Sequence, residues 1–309
     1  MSRYAYVDGA FLPHGSASLH IDDRGTQFAD AVYEVWGVVN GGLLDADGHY
    51  GRLQRSLGEL RIASPLSRGA LDAILFELLR RNRVRDGLIY LQISRGVARR
   101  DHAFPPPGTR PSIIITAKRF DYQAADRRAE AGVAIATMPD LRWKRCDIKS
   151  VSLLPNALAK QAAREAGASE AWMVDEEGYV TEGASSNAWI VTRDDRLVTR
   201  QASNAILNGI TRRTVLGLEA ETGLTIEERP FTVREALEAR EAFITSASTF
   251  VTPVVSIDGH VIANGKPGHV ATQLRAAYIA ASHAAAHKKQ VRSSSIAVAR
   301  QAKRRISSR

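Results

Sequence analysis

Four short segments of this chain carry residue types that can do chemistry. Lys149, in Arg145-Cys146-Asp147-Ile148-Lys149-Ser150, is an amine that turns nucleophile or base once its pKa is depressed. Lys144 and Arg145, close by in sequence, are placed to help by like-charge repulsion. Glu182, in Val180-Thr181-Glu182-Gly183-Ala184-Ser185-Ser186-Asn187, is a carboxylate followed by small residues. Such a site admits a ligand ring and can pair with a protonated ring nitrogen. Asn208-Gly209-Ile210-Thr211 runs into a helix, whose first N–H groups suit a phosphate. Arg95–His102 gathers three arginines and a histidine, which together can clamp a carboxylate by charge-assisted hydrogen bonds. Taken singly, each has a plain alternative: a solvated lysine, an acidic turn residue, an ordinary N-cap by Asn208 or Thr211, a solvated basic loop. Phe104-Pro105-Pro106-Pro107 stiffens the exit of the fourth segment and favours its functional reading.

These segments need a frame to hold them. Tyr4–Val7 and Ala10–Leu12 flank Asp8-Gly9, a hairpin signal, and Ala31–Val39 before Asn40-Gly41-Gly42 suggests a second hairpin. His49–Leu60 and Ala70–Asn82 have apolar residues at helical spacing. Leu88–Ser94 and Ser112–Ala117 read as strands, with the long loop Arg95–Pro111 between them. The polar stretch Arg119–Glu130 reads as an interdomain linker. Beyond it, Val133–Thr137, Ala171–Val174, Tyr179–Thr181, Ala188–Val191, Leu197–Thr199, Ala242–Ser246 and Val254–Ile257 read as strands, and Asp258-Gly259 as a hairpin turn. Helices are expected over Leu154–Ala166, with Pro155 in the first turn, over Thr211–Thr222 and over Ala271–His283. The pattern is α+β in two domains: 1–120, a linker at 121–130, and a strand-rich 131–286.

A length of 309 residues suffices for such cores. No apolar stretch approaches the ~20 residues of a membrane span, and Met1–Gly15 lacks the apolar run of a secretory signal. Cys146 is the only cysteine, which excludes an intramolecular disulfide framework and a cysteine-cluster metal site. These points favour the cytosol, and no metal ligands are assigned. The net charge of +9 is concentrated in 287–309, where eight Lys and Arg stand without an acidic residue. The rest has 34 Lys and Arg against 33 Asp and Glu, so the basic character belongs to a tail, of a kind usually disordered, and not to a nucleic-acid-binding face.

In order, Cys146-Asp147-Ile148-Lys149-Ser150 with Leu153-Leu154-Pro155-Asn156, Thr181-Glu182-Gly183 with Ser185-Ser186-Asn187, Gly209-Ile210-Thr211-Arg212 and Thr252-Pro253 resemble class IV aminotransferases. The resemblance covers roughly residues 3–285. It implies a two-domain fold-type IV enzyme, with a small N-terminal α/β domain and a larger strand-rich pseudo-barrel domain, that binds pyridoxal 5'-phosphate (PLP). Within the family, Asp23-Arg24-Gly25, Gln27-Phe28-Ala29-Asp30 and Tyr33-Glu34-Val35 resemble the N-terminal signature of the D-amino-acid aminotransferases. His49 with Arg52, and the pattern of Arg95, Gly96, Arg100 and His102, resemble the same branch.

Carried over by position, the resemblance implies these roles. Lys149 forms the Schiff base and moves the proton at the substrate Cα. Glu182 keeps the pyridine nitrogen protonated. Arg52, Ile210, Thr211 and the loop of Ser246 and Ala247 bind the phosphate, with Ala247 standing where a hydroxyl residue is expected. Ser185 lies behind the ring and Leu207 packs against it. Tyr33, with Arg100 and His102 from a partner chain, binds the substrate carboxylate, which implies a homodimer with small-molecule amino-acid and 2-oxo-acid substrates. The implied reaction moves the amine of a D-amino acid such as D-alanine to 2-oxoglutarate, giving D-glutamate. The same scaffold serves branched-chain L-amino acids, (R)-amines and aminodeoxychorismate cleavage. Arg100 and His102 favour the first reading, because an (R)-amine offers no carboxylate to hold. A non-catalytic protein using its basic tail on nucleic acid is the rival from another class.

Overall fold

A computed structural model describes residues 3–218 and 223–283. The basic tail expected over 287–309 lies outside the described residues, as do residues 219–222 of the helix expected over Thr211–Thr222.

The first sheet holds β1 (Tyr4–Val7), β2 (Ala10–Pro13), β3 (Ala31–Val39), β4 (Gly42–Leu43), β5 (Gly87–Ser94) and β6 (Ser112–Arg119), in the order β2-β1-β6-β5-β3-β4. All its pairings are antiparallel. The hairpin turns sit where the sequence places them: Asp8 and Gly9 have φ of 45° and 106°, and Asn40 and Gly41 have 51° and 80°. Positive φ at both central residues suits the twist of the flanking strands. Helices α2 (Ala46–Glu59) and α3 (Arg68–Asn82) bury Leu53, Leu57, Leu71, Leu75 and Leu78 against this sheet. Each such leucine contributes about 1.5–3 kcal/mol by leaving water.

The second sheet follows the order β12-β11-β10-β13-β14-β7-β8-β9, with β15 paired to β14. Its strands are β7 (Val133–Pro139), β8 (Glu170–Val174), β9 (Val180–Gly183), β10 (Asn187–Val191), β11 (Arg196–Thr199), β12 (Thr225–Glu228), β13 (Glu241–Ser246), β14 (Phe250–Ile257) and β15 (His260–Val261). Pairings are mixed, with β11–β12, β14–β7 and β7–β8 parallel. The sheet curls until β9 comes back beside β10, and Trp172, Phe231 and Ile190 fill its interior. This is the two-domain α+β arrangement expected.

The polar stretch after β6 is a helix, α4 (Tyr122–Ala131), capped by Asp121. It buries only Ala125 and Ala129, so its period is faint in the sequence. Two further short elements carry too few apolar residues to announce themselves: α1 (Arg24–Phe28) and a helix at Val233–Glu238. The last described helix spans residues 269–283. No helix among the described residues is long and apolar enough to cross a membrane.

Candidate active site

A cavity of about 250 Å³ opens between the two sheets. Its walls include Tyr33, Arg52, Lys149, Glu182, Ser185, Leu207, Ile210, Thr211, Ser246 and Ala247, ten of the twelve residues singled out above. Arg100 and His102 are not among them; both are exposed at the surface.

Lys149 is held by its backbone to the first sheet. Its carbonyl accepts from Tyr33 N (2.9 Å), its N–H donates to Ser56 Oγ (3.3 Å), and Ser150 pairs with Val32. Its Nζ lies 4.1 Å from the centre of the Tyr33 ring, which itself stacks on Tyr90. Among the described residues no carboxylate pairs with this amine. Arg145, expected to act on it as a like charge, is engaged instead by Asp147 (2.9 Å) and Glu59.

Glu182 is the penultimate residue of β9 and is buried. Its carboxylate accepts from Arg142 Nη1, from Asn187 Nδ2 (2.9 Å) and from Leu207 N (3.1 Å to each oxygen). Burial raises its pKa above the usual carboxylate range, while the Arg142 charge and these donors oppose the shift. Gly209 is required here: a Cβ at that position would come within 2.1 Å of Asn187 Oδ1. The Arg142 guanidinium is further tied to Asp140 (2.7 and 2.9 Å) and to the Ala205 carbonyl (3.0 Å). Sequence reasoning missed Arg142, because a buried arginine and a solvated one look alike in a loop; the Asp140-x-Arg142 spacing was the only local sign.

Arg52 comes from α2 and is aimed by a buried carboxylate. Its Nε and Nη2 donate to the two oxygens of Glu34 (2.7 and 2.8 Å), and His49 Nδ1 shares the second oxygen (2.8 Å). Burial alone would push Glu34 up; the Arg52 charge and these hydrogen bonds hold it far below the ordinary range. Burial also lowers His49, against the pull of Glu34. Arg52 Nη1 makes a long 3.5 Å contact to the Asn208 carbonyl, which leaves it available to a ligand. Nearby, the Thr211 hydroxyl is buried without a hydrogen-bond partner at normal distance among the described residues. Ser246 Oγ bonds Thr249 Oγ1 (2.8 Å) in the turn joining β13 to β14. Ala247 does lack a hydroxyl, but the following Ser248 also lines the cavity. Ser185 Oγ is bonded to the buried Glu170 (2.6 Å), which pairs with Lys160 (3.0 Å).

The cavity wall thus carries a cation in Arg52, a buried carboxylate in Glu182, and in Lys149 an amine with which no carboxylate among the described residues pairs. That donor set fits a phosphorylated pyridine aldehyde. The family model described as amino-transferase class IV matches residues 31–257. This chain belongs to that family. It is 42% identical to the D-alanine aminotransferase of Bacillus licheniformis over 87% of this chain and 94% of that one. It is 39% identical to the D-alanine aminotransferase of Staphylococcus haemolyticus, with the same coverage. Among solved structures it is similar to the branched-chain amino acid aminotransferase from Thermobaculum terrenum in its PLP-form (TM-score 0.77, 25% identity, 92% of this chain and 94% of that one).

In this class IV aminotransferase, each half of the molecule supplies part of the cavity. Tyr33, Arg52 and the backbone clamp on Lys149 come from the first sheet and its helices; Glu182, Ser185, Leu207, Thr211 and Ser246 come from the second.

Proposed function

We propose that this aminotransferase moves the amine of a D-amino acid, such as D-alanine, to 2-oxoglutarate, using PLP held by the residues above. The observation that carries the D-amino-acid reading is the 42% identity, over 87% of the chain, to a D-alanine aminotransferase. Bound PLP supplies an electron sink that delocalises the charge left when a substrate Cα loses its proton. Around it, Arg52 and Thr211 would hold the phosphate, with the turn of Ser246. Glu182, which accepts from Arg142 and makes three further hydrogen bonds, would hold a proton on the pyridine nitrogen. Lys149 Nζ would carry the covalent link at rest and the Cα proton during turnover; no ion pair has to be broken to free it. The Tyr33 ring beside Nζ would confine that amine to one side.

The carboxylate end of the substrate is assigned to Arg100 and His102 of a second copy, because these residues lie away from the cavity of their own chain. Exposed apolar side chains in the stretch around Lys149, Leu141, Trp143, Leu154 and Leu158, are surface that such a partner would cover. Sedimentation of the holoenzyme should give a dimer; a monomer that retains full activity would overturn this assignment.

A half-reaction tests the activity itself. The absorbance of the lysine-linked cofactor should bleach to the pyridoxamine form on adding D-alanine without a keto acid. Bleaching by L-leucine alone would move the protein to the branched-chain branch, and no bleaching by either would refute both.

A further inference from the structure

Two motifs far apart in the chain, Asp23–Asp30 and Arg95–His102, interlock in space. Asp30 is the joint. Its carboxylate accepts from Arg24 Nε (2.8 Å) and bidentately from Arg95 (2.7 and 2.9 Å), and both arginines are buried. Backbone bonds stitch the two segments: Arg24 N to Gly96 O (3.0 Å), Arg95 N to Asp30 O (3.0 Å), and Ala98 N to Asp22 O (3.3 Å). From this base Arg24 Nη1 reaches the carbonyl of Asp101 at 2.6 Å, the residue between Arg100 and His102.

Phe28 completes the arrangement. Its ring receives the Arg24 guanidinium at 4.6 Å, the Arg100 guanidinium at 5.2 Å and the edge of the His102 ring at 5.4 Å. The loop exit is moored as well, since Phe104 lies on the Arg95 guanidinium at 3.6 Å. Neither Arg100 nor His102 is therefore a free surface side chain, although both are exposed.

We infer that Arg24 and Phe28, anchored by Asp30, are positioning residues that preset Arg100 and His102 as a carboxylate clamp before any partner or substrate arrives. The inference rests on the reading that this loop binds the substrate carboxylate. Pre-organisation of this kind lowers the ordering cost of binding and so acts on KM. It makes no demand on the cofactor, whose binding residues lie elsewhere.

The test uses the PLP-loaded enzyme and three variants. Phe28→Leu removes the ring that both clamp residues touch and leaves the buried ion network whole. Arg24→Lys keeps a cation beside Asp30 but cannot also reach the Asp101 carbonyl. Arg100→Ala removes the clamp itself. The expected result for each is a KM for D-alanine and for 2-oxoglutarate raised roughly tenfold, with PLP affinity by absorbance titration and the thermal midpoint near those of the parent. If Arg100→Ala raises KM but Phe28→Leu and Arg24→Lys do not, the positioning inference fails and the loop reading stands. An unchanged KM in Arg100→Ala sinks the loop reading and this inference with it. Loss of PLP binding in Phe28→Leu and Arg24→Lys would show a general structural role and overturn the inference too.

Discussion

Arg142 donates to the carboxylate of Glu182, and both side chains are buried; burial raises the Glu182 pKa, and the Arg142 charge is the largest influence opposing that rise. Removing one member of a buried ion pair leaves the other uncompensated, at a cost of about 3–5 kcal/mol. Arg142→Met should raise the Glu182 pKa further. Activity that needs the carboxylate is lost as pH falls through that pKa, so the acid limb of the kcat profile should move to higher pH. We expect kcat at neutral pH to drop by roughly tenfold or more. A pH–rate profile identical to the parent's would disprove the role.

Lys149→Ala should abolish transamination and leave the fold intact, since the Lys149 contacts that tie it to β3 and Ser56 are backbone ones. Circular dichroism checks the fold and a single-turnover assay the chemistry. Retained turnover would remove Lys149 from the mechanism.

Glu34→Gln would leave the Arg52 guanidinium buried beside a neutral amide. The folded pKa of Glu34 is depressed, so its stabilising contribution is fully present above the ordinary glutamate value, about 4.3, and is lost as pH falls below it. Urea unfolding of the apoprotein at pH 7 should show the variant destabilised by about 3–5 kcal/mol, with the gap to the parent narrowing as the medium is acidified. PLP affinity should fall more than that for pyridoxal, which carries no phosphate for Arg52. Equal losses for the two ligands would contradict the phosphate role.

Cys146 lines the cavity with its thiol donating to the Trp143 carbonyl (3.0 Å), and burial pushes its pKa up to about 11. Alkylation by iodoacetamide at neutral pH should therefore be far slower than that of a free thiol, whose pKa is about 8.5, and should accelerate through alkaline pH. Fast labelling at pH 7 would show that the site is wetter and more open than the packing indicates.

Most of the frame was legible because its strands are apolar and its turns carry Asp-Gly or Asn-Gly. Ala31–Val39 is found as read, and Asp258-Gly259 turns β14 into β15. α4 and Val233–Glu238 were not, because they bury few apolar residues and are held by Asp121 and Thr232 caps. In the site, ten residues that line the cavity fall in motifs and could be named. Arg142, Glu34 and Asp30 act through other side chains, and their partners are 40, 18 and 65 positions away in the chain. A one-dimensional pattern carries no trace of such pairs. Thr211 was named for its motif, but only the fold shows that its hydroxyl is buried.

The backbone bonds between Lys149 and Tyr33 have a mechanical consequence. Lys149 is tied to the smaller half of the molecule, while Glu182, Thr211 and Ser246 belong to the larger half. Any hinge motion between the halves would pull the amine away from the groups that tune its chemistry. A cofactor held as proposed, linked to Lys149 on one side and paired with Glu182 on the other, would span that hinge and resist its opening. The loaded enzyme should behave as one cooperative body on heating, and stripping the ligand should loosen the halves before either of them melts.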